Sequence, residues 1–214
     1  MKDNLISKTS LWMCFGLLVT FATGYFVSTS EVMLNNIYNG PGYIIFVIVE
    51  LVLVFVLSSG VMKMKPTTAK VSFLLYSFVS GLTFASIFIY YAVSSIIYIF
   101  LAAAITFAIM ALIGYTTKLD LTKMGSYLLF ALIAAIIVSL VNIFLNNSMI
   151  YLIVSIVCVL IFIGITAYDV QKIKNLENSG LPVENLAIYG ALDLYLDFIN
   201  LFINLLSIFG RRDN

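Results

Sequence analysis

The sequence predicts an all-α integral membrane protein, a single transmembrane domain over residues 1–214 that crosses the bilayer seven times. Three observations carry that expectation. Hydrophobic residues make up 63% of the chain and charged residues 10%, against roughly 45–50% and 25% in soluble domains, and the mean hydropathy is +1.12. Seven apolar stretches approach or exceed the roughly 20 residues that a helix needs to cross a hydrocarbon core. The lysines fall beside these stretches, in every other gap between them.

Taken in order, the first stretch (11–28) follows Lys2 and Lys8. It is longer than the apolar run of about 7–15 residues in a signal peptide, and no A-x-A cleavage site follows it, so it reads as a retained helix. The second (43–62) lies between Pro41 and Pro66, and the third (71–91) follows Lys63, Lys65 and Lys70. The fourth (93–115) begins so soon after Tyr91 that the two form a tight hairpin or one interrupted element. The fifth (126–145) follows Lys118 and Lys123, the sixth (149–168) precedes Lys172 and Lys174, and the seventh (186–209) follows Pro182. All three prolines therefore fall outside the stretches, as expected for a residue disfavoured inside helices. All nine lysines fall on one side of the membrane, which the positive-inside rule makes the cytoplasm. The N-terminus is then cytoplasmic, and seven crossings put Arg211, Arg212 and the C-terminus outside. Trp12, Tyr25, Tyr43 and Tyr115, near span ends, read as interfacial anchors.

Composition also excludes chemistry. A formal charge of +1 leaves no basic surface for nucleic acid. The absence of histidine removes Ser-His-Asp and Cys-His nucleophiles, the usual zinc sites and imidazole pH sensing. Proton chemistry must run through carboxylates, and neither an enzymatic activity nor a resident cofactor is expected. Cys14 and Cys158, both inside apolar stretches, read as small buried hydrophobes.

Six of the ten acidic residues, Asp3, Glu31, Asp120, Glu177, Glu184 and Asp213, fall in predicted loops or tails and read as solvated charges. Four do not. Glu50 is in the middle of span two, Asp169 at the end of span six, and Asp193 and Asp197 within span seven. A carboxylate at the bilayer centre costs about 2.5–3.5 kcal/mol even on insertion scales, so it faces a protein interior, a cavity or a partner. In span seven, Asp193, Asp197, Asn200 and Asn204 are spaced four, three and four apart, which places them on one narrow arc of a helix. A span with such a stripe belongs at the centre of a helix bundle. The stripe, with Glu50 as a candidate to stand opposite, offers several side-chain oxygens in succession. The asparagines alone could instead bridge helices, and Asp169 could pair with Lys172.

The run Asp193-Leu-Tyr-Leu-Asp-Phe-Ile-Asn-Leu-Phe-Ile-Asn-Leu-Leu206, after a span ending Ala167-Tyr-Asp-Val-Gln-Lys172, resembles the transmembrane Bax inhibitor motif family in its small bacterial branch. The likeness covers nearly the whole chain, with Glu50 and Phe78-Val-Ser-Gly81 as weaker signals. It implies six helices around a central seventh in a bacterial plasma membrane, and a calcium leak governed by pH. Calcium prefers several oxygen ligands and a permeation path weak successive sites. The stripe and Glu50 would supply these, with Asp169, Asp193 and Asp197 as the candidate calcium ligands. The likeness also implies a hydrogen-bonded aspartate pair between helices six and seven, matching Asp169 and Asp197. Two carboxylates so close in a poorly solvated site do not both ionise easily, so such a pair shares a proton and titrates as a unit. Basic residues, often arginine, stand in the family at the cytoplasmic end of helix two. Lys63 and Lys65 take that place as a possible latch, although a lysine lacks the planar bidentate fork. The implied partners are the lipid bilayer, calcium ions and protons, and no protein partner is indicated.

Three other readings compete. Intramembrane aspartyl proteases also carry Tyr-Asp on one helix, as in Tyr168-Asp169, but their Gly-x-Gly-Asp is not matched by Tyr189-Gly-Ala-Leu-Asp193, and no Pro-Ala-Leu follows. A proton-coupled cation exchanger would use the same carboxylates. A stress or survival regulator would act through protein interactions.

Overall fold

The computed structural model describes residues 5–38 and 42–211. Lys2, Asp3, Pro41, Arg212 and Asp213 lie outside them. The chain is an all-α membrane protein, with helices α1 (Leu5–Ser28), α2 (Glu31–Tyr38), α3 (Gly42–Gly60), α4 (Pro66–Tyr90), α5 (Val93–Thr116), α6 (Thr122–Leu145), α7 (Ser148–Leu176) and α8 (Val183–Phe209). A 3-10 turn, Val61–Lys63, continues α3. All but α2 are long and apolar enough to cross a membrane, so the seven expected spans are α1, α3, α4, α5, α6, α7 and α8.

The differences from expectation lie at the ends. Apolar runs stop at the first charged residue, whereas the helices continue into polar sequence: α1 begins at Leu5 and α7 runs to Leu176. Asp169 is therefore well inside α7 rather than at its end. Glu31 and Glu184, expected in loops, stand in the first turns of α2 and α8, where a carboxylate meets the positive end of the helix dipole. At the uncertain junction of spans three and four, Tyr91 is extended (φ −124°, ψ 140°) and ends α4, so α4 and α5 are separate helices. Cys14 is exposed rather than buried, because it shares a face with exposed Leu11, Phe15 and Leu18; Cys158 is buried as expected.

The helices form two compact units. The first holds α1 to α4 and α8 through Tyr195; the second holds α5, α6, α7 through Asn175 and α8 from Leu196. In the first unit, α1 and α4 pack through small residues. A Cβ at Gly24 would lie 3.2 Å from the Gly81 carbonyl oxygen, and one at Gly81 would lie 2.8 Å from the Thr20 carbonyl oxygen, the close backbone approach that lets membrane helices gain dispersion energy. The unforeseen α2 packs Ile37 with Val27 and Ala85. The Tyr38 hydroxyl donates to the Leu82 carbonyl (2.8 Å) and accepts from the Ser86 amide (2.9 Å), two groups that the α4 ladder would itself join. Burial pushes the Tyr38 hydroxyl above its ordinary pKa.

In the second unit, α5 meets α7 where a Cβ on Gly114 would run into the Ala167 carbonyl, and Gly125 of α6 lies against the Tyr168 ring. Gln171 holds the 117–121 loop with both ends of its amide, accepting from Leu121 N (2.9 Å) and donating to the Leu119 carbonyl (2.8 Å). In that loop, Asp120 accepts from Thr122 N at 2.9 Å, and the Thr122 hydroxyl and amide hold its carboxyl below the usual range. Phe198 of α8 packs edge-on against Phe100 and Phe107 of α5.

Three outcomes are expected. Gly114→Ala forces a methyl into backbone and should cost about 1–3 kcal/mol, read as a lower thermal midpoint in detergent micelles. Gly60→Ala, whose Cβ would meet only the flexible end of Met64 at 3.3 Å, should be nearly silent. Because the Tyr38 pKa is raised on folding, its contribution is complete below about pH 10 and lost as pH rises through the folded value. Wild type should therefore lose more stability in alkali than Tyr38→Phe, as measured by urea titration at matched pH values.

Candidate functional site

The second unit buries two carboxylates. Asp169, 8% exposed, sits on α7 among Thr166, Ala167, Val170 and Ile173, all at 2% exposure or less. Its Oδ1 is 3.8 Å from Lys172 Nζ, one turn on along the same helix. Asp197, 4% exposed, is on α8, and its Oδ2 is shut off from solvent. An ionised oxygen in such surroundings loses its hydration and needs compensation from the protein.

On α8 the polar stripe is the side that keeps partial access. Tyr189, Asp193, Asn200, Asn204 and Ser207 are half-buried, while Leu192, Leu194, Tyr195, Leu201 and Phe202 are at most 2% exposed. Asn200 Nδ2 donates to the Leu196 carbonyl (2.7 Å) and Asn204 Nδ2 to the Asn200 carbonyl (2.8 Å). Both amide nitrogens thus donate to their own helix. Among the described residues, no group of three or more histidine, cysteine or acidic side chains is placed to hold a metal ion.

Glu50, half-buried on α3 of the first unit, accepts from Thr83 Oγ1 at 2.8 Å. It lies near the buried side chains of Tyr76 and Tyr195. The Tyr195 hydroxyl is also 2.6 Å from Thr20 Oγ1, which donates to the Ser77 carbonyl at 2.9 Å. Thr20, Ser77, Ser80 and Tyr195 are 0–2% exposed. This hydroxyl network linking α1, α4 and α8 near Glu50 was not anticipated from the sequence. Its signal was the recurrence of Ser77, Ser80 and Thr83 at helical spacing within an apolar span.

Lys63 and Lys65 are exposed. Between them and α8, Asn185 Nδ2 donates to the Val61 (2.6 Å) and Met64 (2.9 Å) carbonyls. Those carbonyls flank the 3-10 turn, so Asn185 fixes the end of α3. Glu184, expected to be a simple surface charge, pairs with Lys70 and, at 3.6 Å, with Lys8.

The family model described as Inhibitor of apoptosis-promoting Bax1 matches residues 2–214. The chain belongs to the Bax inhibitor family. Among relatives in this family, inner membrane protein YbhL of Escherichia coli K12 is 41% identical over 94% of this chain and 88% of its own length. An uncharacterized protein of Borreliella burgdorferi is 39% identical over 100% of this chain and 94% of its own. A membrane protein of Streptococcus pyogenes serotype M1 is 42% identical over 78% of this chain and 73% of its own. With seven helices suited to crossing a membrane, this Bax inhibitor-family chain is a multi-pass membrane protein.

Tyr195→Phe removes one hydroxyl from the first-unit network and should cost about 1 kcal/mol. In a double-mutant cycle with Thr20→Val, the combined loss should fall short of the sum of the single losses, because both changes delete the same bond.

Proposed function

We propose that this protein is a calcium-permeable leak governed by pH, with Asp169 and Asp197 as a proton-sharing pair that sets the response. The observation that carries this reading is the burial of two carboxylates, on α7 and α8 of one unit, in a chain with no histidine to sense pH. With one proton between them the two aspartates attract, and α7 is held to α8 in a closed state. At higher pH the proton is lost, two negative charges repel at short range in a poorly screened site, and the helix contact loosens. Asp193, Asn200 and Asn204 on the accessible stripe of α8, together with Glu50 on α3, would offer a passing calcium ion successive weak oxygen sites. Asp169 and Asp197, once ionised, would add to these.

Lys63 and Lys65 are the residues proposed as a latch at the end of α3, acting as point charges. The membrane is the bacterial plasma membrane, in keeping with the name of the Escherichia coli relative. The lysine distribution favours a cytoplasmic N-terminus and an external C-terminus. Calcium is the permeant ion rather than a resident cofactor, and no bond-breaking chemistry is assigned.

The test is calcium entry into dye-loaded proteoliposomes across about pH 6 to 8, bracketing the range in which a coupled carboxylate pair can respond. Flux should rise with pH in wild type and become pH-independent in Asp169→Asn and Asp197→Asn. Unchanged flux and pH dependence in both variants would overturn the gating role. Saturable flux with stoichiometric proton counterflow would make the protein an exchanger, and no flux at any pH would favour an interaction role.

A further inference from the structure

Tyr38 closes the short helix α2, and its side chain reaches both helices that hold Glu50. Its ring stacks on Tyr43, with centroids 5.3 Å apart and planes at 28°, and Tyr43 precedes Glu50 by two helical turns on the same face of α3. Its hydroxyl stands at one turn of α4, donating toward the Leu82 (2.8 Å) and Thr83 (3.1 Å) carbonyls and accepting from the Ser86 amide (2.9 Å). Leu82 and Ser86 are a pair whose carbonyl and N–H an α-helix joins directly. A side chain that enters the ladder at such a point alters the local path of the helix.

Thr83 lies inside that turn. Its carbonyl also accepts from the Ser86 hydroxyl at 3.1 Å. Its own hydroxyl has a single proton and two acceptors in reach, Glu50 Oε2 at 2.8 Å and the Ser80 carbonyl at 2.9 Å. The bond to Ser80 is of the kind a threonine makes within its own helix, whereas the bond to Glu50 joins α4 to α3. A small rotation of the turn decides between them.

We propose that Tyr38 is the positioning residue of Glu50, its hydroxyl holding the 82–86 turn of α4 so that the Thr83 proton goes to the Glu50 carboxylate. Without that hydroxyl the turn closes on itself, Thr83 gives its proton to Ser80, and Glu50 loses its anchor on α4. The bearing on calcium rests on the place of Glu50 in the path proposed above. The segment between the first two spans is thereby connected to an oxygen site within the second.

The chain contains four glutamates, so the full protein in micelles, carrying carbon-13 at the glutamate carboxyl carbons, gives a simple magnetic-resonance spectrum. Glu50 is identified as the signal missing from Glu50→Gln. Tyr38→Phe, which keeps the ring and loses the hydroxyl, should move the Glu50 signal in the direction that Thr83→Val moves it and leave the other three in place. Thr83→Ser, which keeps the donor, should leave it unmoved. In the Tyr38→Phe/Thr83→Val double variant the signal should stand where Thr83→Val alone puts it, because the tyrosine acts through that hydroxyl. Ile37→Val, which trims the apolar docking of α2 and spares the hydroxyl, should not shift it. An unmoved Glu50 signal in Tyr38→Phe or Thr83→Val, a full further shift in the double variant, or an equal shift in Ile37→Val would each overturn the proposal. In proteoliposomes, Tyr38→Phe should lower calcium flux about two- to tenfold, the worth of one hydrogen bond, with no further loss in a Glu50→Gln background. A moved signal with unchanged flux would uphold the positioning of Glu50 and remove that residue from the calcium path.

Discussion

Hydrocarbon offers no hydrogen bonds, and most polar groups of the described spans are arranged around that fact. Backbone amides and carbonyls close on themselves in helices, and hydroxyl side chains largely follow: Ser59, Thr106, Ser139 and Thr166 each donate to the carbonyl four residues back. What cannot be satisfied within its own helix needs a second one. Glu50 takes the Thr83 hydroxyl, Tyr195 takes Thr20, and Tyr38 enters the α4 ladder. Polar atoms and glycines that bring backbones close therefore add specific contacts to the apolar packing between helices, and many large aliphatic side chains are left to face outward.

The same constraint explains why so much of the fold was legible from hydropathy. Spans are announced by what they lack, and charged residues mark the gaps. The method fails where a helix outlasts its apolar core. Ile173 is fully buried although charged neighbours place it beyond the expected end of span six, and α2 is too short and too mixed in sequence to register as a span. Its docking rests on Ile37 and on one tyrosine hydroxyl, contacts no composition window detects.

The candidate site was legible in its acidic members and not in its hydroxyls. A carboxylate inside an apolar span is conspicuous, so Glu50, Asp169, Asp193 and Asp197 stood out. Serine and threonine are cheap in membrane helices because they bond to their own backbone, and their presence alone says little. Only the geometry distinguishes Thr20, which meets Tyr195, from Thr106, which stays within its helix. Glu184 shows the converse: a charge at a helix start looked ordinary, and its role as the shared partner of Lys8 and Lys70 depends on α1, α4 and α8 converging.

The orientation of two asparagine amides has a consequence for the sign of charge that α8 tolerates. With one N–H of each amide committed to its own helix, Asn200 and Asn204 each keep a single side-chain N–H beside the Oδ1 oxygen. An anion approaching that face finds fewer donors to replace its lost water than two free amides would offer, whereas each Oδ1 keeps its lone pairs. The bias comes from bonds within one helix rather than from charge, and it does not depend on the protonation of the carboxylates.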